Sequence, residues 1–232
     1  MKQHFILLGI FAALLNADTR AFVWTYEYNT MPAGEAEIEH YLTFESQNRD
    51  TLEGYITSKH DLEIEIGMND RFDMGIYQSF QQDPNGILTY SGFKLRGRYR
   101  LGVKGKWILD PLIYIEYKGK PDFHEHEIES KLILAKSIDK LTIAVNPVWE
   151  MEFDDGKTEI AWKYNAGISY RVSSLVGLGV EFKGGESGHY WGPVISHGGE
   201  GLYVALGSGF SYTVVKEGKP ELMIRMIMGI GL

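Results

Sequence analysis

Charged residues recur at every second position in several stretches of this 232-residue chain. Lys94, Arg96, Arg98 and Arg100 form one such run, and Glu37 and Glu39, Glu63 and Glu65, Glu127 and Glu129, and Glu150 and Glu152 form four acidic ones. A spacing of two puts like charges on one face of a strand. A cation stripe flanked by carboxylates would suit a water-filled passage, where fixed charges select the ions that cross. The same groups could equally pair across a closed interior and fill it, each charge compensated by a partner. Both uses remain open at the level of the sequence.

Other candidates for chemistry are sparser. His124-Glu125-His126-Glu127 places two imidazoles at i and i+2 beside carboxylates, a set able to hold Zn²⁺ or Cu²⁺. Solvated charges on a rim strand account for the same residues, so His124 and His126 stay a candidate and no metal is assigned. Ser196 and His197 are adjacent and therefore on opposite faces of a strand, which rules out a dyad between them. His40 shares its outward parity with Ser58 and His60 on the following strand, but no carboxylate or amide of that parity is there to orient a base. Cysteine is absent, which removes thiolate metal sites, disulfides and cysteine nucleophiles together. No phosphate loop or dinucleotide fingerprint occurs, and no catalytic residue or cofactor is expected. The formal charge of −8 argues against a nucleic-acid partner.

The elements that must position these groups are strands. Ala36, Ile38, His40, Leu42 and Phe44 alternate with Glu35, Glu37, Glu39, Tyr41, Thr43 and Glu45. The same alternation recurs around Leu62 to Ile66, Phe72 to Ile76 and Phe93 to Leu101, and onward to the last residue. Twelve strands are predicted from Glu35, including a less regular one around His189 to Ser196. Tight connections at Asn69-Asp70, Gly102 to Gly105, Ser137 to Asp139 and Val172-Ser173 are expected to alternate with longer ones at 46–54, 81–91, 118–122, 154–158 and 184–188. Strands of about 10 residues, an even strand number and alternating short and long connections are the anatomy of a transmembrane β-barrel.

At the other end of the chain, Met1-Lys2-Gln3-His4 precedes an apolar run from Phe5 to Leu15 and the small residues of Thr19-Arg20-Ala21. This reads as an export signal of residues 1–21 cut after Ala21, with Ala17 as the second choice. Its removal leaves −9 on residues 22–232. Residues 22–34 are surplus to an even strand count and are expected as an N-terminal extension at the inner mouth or inside the lumen. Residues 35–232 form the barrel.

A soluble barrel would show the same alternation inside out. Twelve strands, however, enclose more space than aliphatic side chains fill, and rings such as Trp149, Trp162, Tyr170 and Tyr212 gather near strand ends, where membrane interfaces favour them. The signal, the strands and the closing segment Glu221 to Leu232, with Leu232, Ile230, Met228, Met226 and Ile224 at every second position, resemble bacterial outer-membrane β-barrel proteins. That family usually ends in Phe or Trp, and Leu232 departs from it. The resemblance implies an all-β, antiparallel up-and-down barrel in the outer membrane, surrounded by its lipid and delivered by the barrel-assembly machinery. The expected function is a porin-like channel or binding barrel for a small polar solute. The alternatives are a closed structural or interaction barrel acting through its outer loops, and a lipid-modifying enzyme.

Overall fold

A computed structural model describes residues 20–154, 156–199 and 201–232. Of the expected export signal, only Arg20 and Ala21 fall among them. The alternation resolves into β1 (Ala36–Ser46), β2 (Ile56–Asn69), β3 (Phe72–Gln82), β4 (Thr89–Arg100), β5 (Asp110–Gly119) and β6 (Glu125–Ile138). The second half comprises β7 (Leu141–Asp154), β8 (Lys157–Arg171), β9 (Val176–Gly185), β10 (Gly188–Gly199), β11 (Leu202–Ser211) and β12 (Leu222–Gly231). Each strand pairs antiparallel with its sequence neighbours, and β1 pairs with β12 to close the ring. Closure leaves no unpaired sheet edge, a requirement in lipid where water cannot satisfy backbone groups. The last bond of the seam runs from the Leu232 N–H to the Ala36 carbonyl at 2.8 Å.

The two faces divide as parity dictates. Ile38, Ile64, Ile76, Leu95, Ile115, Ile168, Leu206 and Ile230 point outward and are exposed, forming the apolar exterior of a barrel that meets lipid. Glu37, Glu39, Glu63, Glu65, Asp73, Arg96, Arg98, Glu116 and Glu181 point inward and are buried. Two prolines interrupt the ladder. Register runs from Lys131↔Val148 to Leu134↔Val145 across Pro147, and from Trp191↔Phe210 to Val194↔Gly207 across Pro193, because proline has no N–H to give.

The connections depart from strict alternation. β7 ends at Asp154 with β8 beginning at Lys157, and β9 ends at Gly185 with β10 beginning at Gly188, so the connections expected to be long at 154–158 and 184–188 are short, whereas 101–109, expected to be tight around Gly102 to Gly105, spans nine residues. Gly156 at φ +80° and Gly188 at φ +136° supply the backbone conformations that the short turns need. The longer inner loop is shaped by Asp110, whose carboxylate accepts the Gly105 N–H at 2.8 Å and the Trp107 N–H at 3.4 Å.

Residues 20–34 join no strand; 20–31 lie inside the barrel and the exposed residues 32–34 lead to β1. Phe22 and Met31 are fully buried, and Val23, Trp24, Tyr26 and Tyr28 form a cluster with inward residues of the wall, among them Leu112, Tyr114, Val194, Tyr203 and Ile227. Lumenal glycines make room for this segment. A Cβ at Gly167 would stand 2.5 Å from the Phe22 ring, and one at Gly207 would stand 2.5 Å from Val23 Cγ2.

Candidate functional site

The lumen has two levels, and the segment 20–34 separates them. Polar groups of the wall take up its backbone. The Glu181 carboxylate on β9 accepts three consecutive N–H groups, from Val23 at 2.9 Å, Trp24 at 3.0 Å and Thr25 at 2.8 Å. Successive amides converging on one anion form the nest seen at many anion sites, with a side chain here in place of a free ligand. Asn146 on β7 holds Tyr26 from both sides, accepting its N–H at 2.6 Å and donating to its carbonyl at 3.1 Å. Asp73 on β3 accepts the Met31 N–H at 2.9 Å. The Tyr28 hydroxyl donates to the Leu101 carbonyl at 3.0 Å, and Arg20 donates to the Tyr41 hydroxyl at 2.6 Å. Desolvation pushes the Glu27 carboxyl above its ordinary range, and the Ala21 N–H, 2.7 Å from Oε2, partly offsets this.

Most of the β4 cation stripe is enclosed at this inner level. Arg96 is 2% exposed and reaches Glu63 at 2.9 Å, Glu65 at 2.5 Å and the Tyr77 hydroxyl at 2.9 Å. Arg98 is 6% exposed, contacts Glu65 and binds Asp73 through Nε at 2.9 Å and Nη2 at 2.6 Å. Arg100 lies below them, with its guanidinium 5.9 Å from the Tyr28 ring centroid. Glu37 and Glu39 border a small inner gap with Arg20 and Glu65. With the segment in place, Arg96 and Arg98 therefore face carboxylates and rings rather than open water. Asp73, the second anchor of Arg98, is a residue that period-two spacing of like charges could not single out, because it stands alone on its strand.

The outer level is a cup. Lys94, the fourth member of the stripe, opens onto it and pairs with Asp61 at 2.9 Å. A cavity of about 380 Å³ sits directly on the inner segment and is floored by Trp24 and Tyr26. Its walls carry Tyr41, Tyr77, Tyr114, Tyr164 and Tyr190 together with eight basic and five acidic side chains. Five of these cations are paired: Lys59 with Glu45 at 2.7 Å, Lys94 with Asp61, Lys118 with Glu127 and Glu129, Lys131 with Glu129 at 2.7 Å, and Lys163 with Glu150. A second cavity, of about 570 Å³, adjoins it toward β2–β7 and is bordered by Glu125, Glu127, Glu152 and Asp154. Glu127, Glu129 and Glu150 thus do converge, around the Lys118 ammonium, while Glu152 stays exposed on the second cavity.

The histidines separate. His124 lies exposed in the loop before β6, and His126 Nδ1 is 2.5 Å from the Tyr117 hydroxyl with their rings stacked. The carboxylate groupings able to surround an ion among the described residues include neither imidazole. On the outer wall, His40 Nε2 and His60 Nδ1 are 3.2 Å apart with near-parallel rings, so each imidazole faces the other, and Ser58 stands opposite Phe44.

No family model matches the sequence, and no curated protein does. Solved structures do resemble the fold. The COG4313 outer membrane channel from Pseudomonas putida F1 aligns at TM-score 0.62 and 8% identity, covering 91% of this chain and 100% of that one. The NanC porin aligns at TM-score 0.56 and 7% identity over 85% of this chain and 98% of its own. The KdgM porin aligns at TM-score 0.54 and 13% identity over 85% and 97%. The chain therefore has the fold of bacterial outer-membrane porin barrels, with twelve strands.

Proposed function

We propose that this chain is an outer-membrane, porin-like channel for a small polar solute whose inner half is closed by its own N-terminal segment. The observation that carries the reading is how residues 20–34 are held. They cross the lumen on side-chain anchors, chiefly Glu181, Asn146 and Asp73, and add no strand to the sheet. The barrel wall therefore stays complete when the segment leaves, and a passage lined by the charges of both levels opens behind it. Above the segment, the cup is already wide enough for water and small solutes. Channels and porins of similar fold support the reading. The apolar exterior supports a lipid surrounding, and the closing strand β12 fits delivery by the barrel-assembly machinery. The reading assigns no catalysis, since the outward imidazoles of His40 and His60 engage one another.

Planar-bilayer recording tests this. The intact protein should show little or intermittent conductance, and a variant lacking residues 22–31 should conduct steadily. A folded deletion variant that stays electrically silent would refute the channel and favour a barrel that is closed for structural or interaction purposes.

A further inference from the structure

Three cations of the cup have no ion-pair partner among the described residues: Lys219, exposed in the loop before β12, and two half-buried ones, Lys183 on β9 and Arg225 on β12. The half-buried two come from strands three positions apart in the ring and meet over one aromatic ring. Lys183 Nζ is 5.4 Å and Arg225 Cζ 5.7 Å from the Trp24 centroid. Arg225 donates through Nε to Thr43 at 2.8 Å and through Nη1 to the Val23 carbonyl at 3.4 Å. Among the described residues, the hydrogen-bond partner of the Lys183 ammonium is the Met223 sulfur at 4.0 Å, a weak acceptor. Glu45, the acid of this wall, is taken by Lys59 at 2.7 Å. Two half-buried cations on one ring repel each other and are costly without a counter-charge. The arrangement is the more notable in a chain whose formal charge is −8.

We propose that Lys183, Arg225 and the Trp24 ring form a binding site for a small organic anion bearing a carboxylate or phosphate group. The anion supplies the charge that the wall withholds, accepting hydrogen bonds from the Lys183 ammonium and from the face of Arg225 that Thr43 and Val23 leave unused. The tyrosines lining the cavity offer hydroxyls to the remainder of the solute. Because Trp24 belongs to the N-terminal segment, the site is complete only while that segment is seated. The proposal deepens the channel reading by naming its solute class, yet binding can be measured without conduction.

The test is calorimetric titration of the full mature protein in detergent with gluconate, glucose 6-phosphate and uncharged glucose. At least one anion should bind about tenfold more tightly than glucose, and Lys183→Gln should weaken it about tenfold, the loss expected for one charge-assisted hydrogen bond. The preferred anion then identifies carboxylate or phosphate as the recognised group. Lys183→Gln spares the Arg225 contacts that hold the segment, and retained heat-modifiable gel migration confirms its fold. Equal affinity for anions and glucose, or an unaltered Lys183→Gln, overturns the site. So does competition by chloride that accounts for all of the binding, which would leave an inorganic counter-ion only. Binding by a barrel that never conducts would uphold the site and sink the channel reading, and conduction without binding would do the reverse.

Discussion

Replacing Glu181 with Ala should release the inner segment while leaving the barrel intact. The side chain accepts three N–H groups, from Val23, Trp24 and Thr25, at 2.8 to 3.0 Å, and no other acceptor for these amides stands in its place. A buried donor that loses its partner costs about 1–3 kcal/mol, so three of them cost about 3 kcal/mol at the lower end. At about 1.4 kcal/mol per decade, the seated segment should open about a hundredfold more often. The wall is spared, since Glu181 pairs with Gly167 and Gly192 through its backbone and the ladder does not involve the carboxylate. Glu181→Gln keeps one acceptor oxygen but turns an amide N–H₂ toward the nest, so its effect should be smaller, about tenfold. Hydrogen exchange of a peptide covering residues 22–31, read by mass spectrometry in detergent, measures the opening directly. Exchange in Glu181→Ala within twofold of the parent, with the barrel strands equally protected in both, would refute the claim that this carboxylate seats the segment.

Gly167→Ala places a methyl group against the Phe22 ring and should loosen the segment by about 1–3 kcal/mol, detectable as faster exchange of the same peptide without loss of strand protection. Leu95→Arg puts a cation on the lipid face near the middle of β4 and should lower assembly yield in vesicles by an amount equivalent to about 2–4 kcal/mol; normal yield would mean that this face does not meet lipid. Arg98→Leu takes the close ion pair from Asp73 and leaves Glu65 to Arg96 alone, and should cost about 3–5 kcal/mol in urea unfolding, whereas Lys157→Leu at an exposed strand end should cost little. Arg20, inside the expected export signal, contacts Tyr41 and Glu39 from inside the lumen. Intact-mass analysis decides between the two export cuts: a mature chain beginning at Phe22, the expected one, has given up these contacts, and one cut after Ala17 keeps them.

The wall of this protein is written in local chemistry. Lipid outside and water or charge inside force a period of two, so Ile38, Glu39 and His40, or Leu95, Arg96 and Gly97, disclose the strand and both of its faces without reference to any partner. Strand number and antiparallel order follow from counting such runs. Connection lengths were less legible, since the short connection before β8 depends on Gly156 adopting positive φ, and the inner loop 101–109 depends on Asp110 gathering its amides.

The site was decided elsewhere, by contacts between residues far apart in the chain. Rings recur at every second position in Phe22, Trp24, Tyr26 and Tyr28, yet nothing local places them in the lumen rather than in the wall, and nothing marks Glu181, 158 positions from Val23, as their anchor. The regular spacing of Lys94, Arg96, Arg98 and Arg100 exposes a stripe, but only the closed ring brings Glu63, Glu65 and Asp73 within bonding distance of its central arginines. Conversely, Lys183 shares β9 with Glu181 and Arg225 is the one charge of β12, so parity turns both inward without disclosing that they meet. Closing the sheet and threading Trp24 through it make them neighbours, because curvature brings together strands that hydrogen bonding alone keeps three places apart.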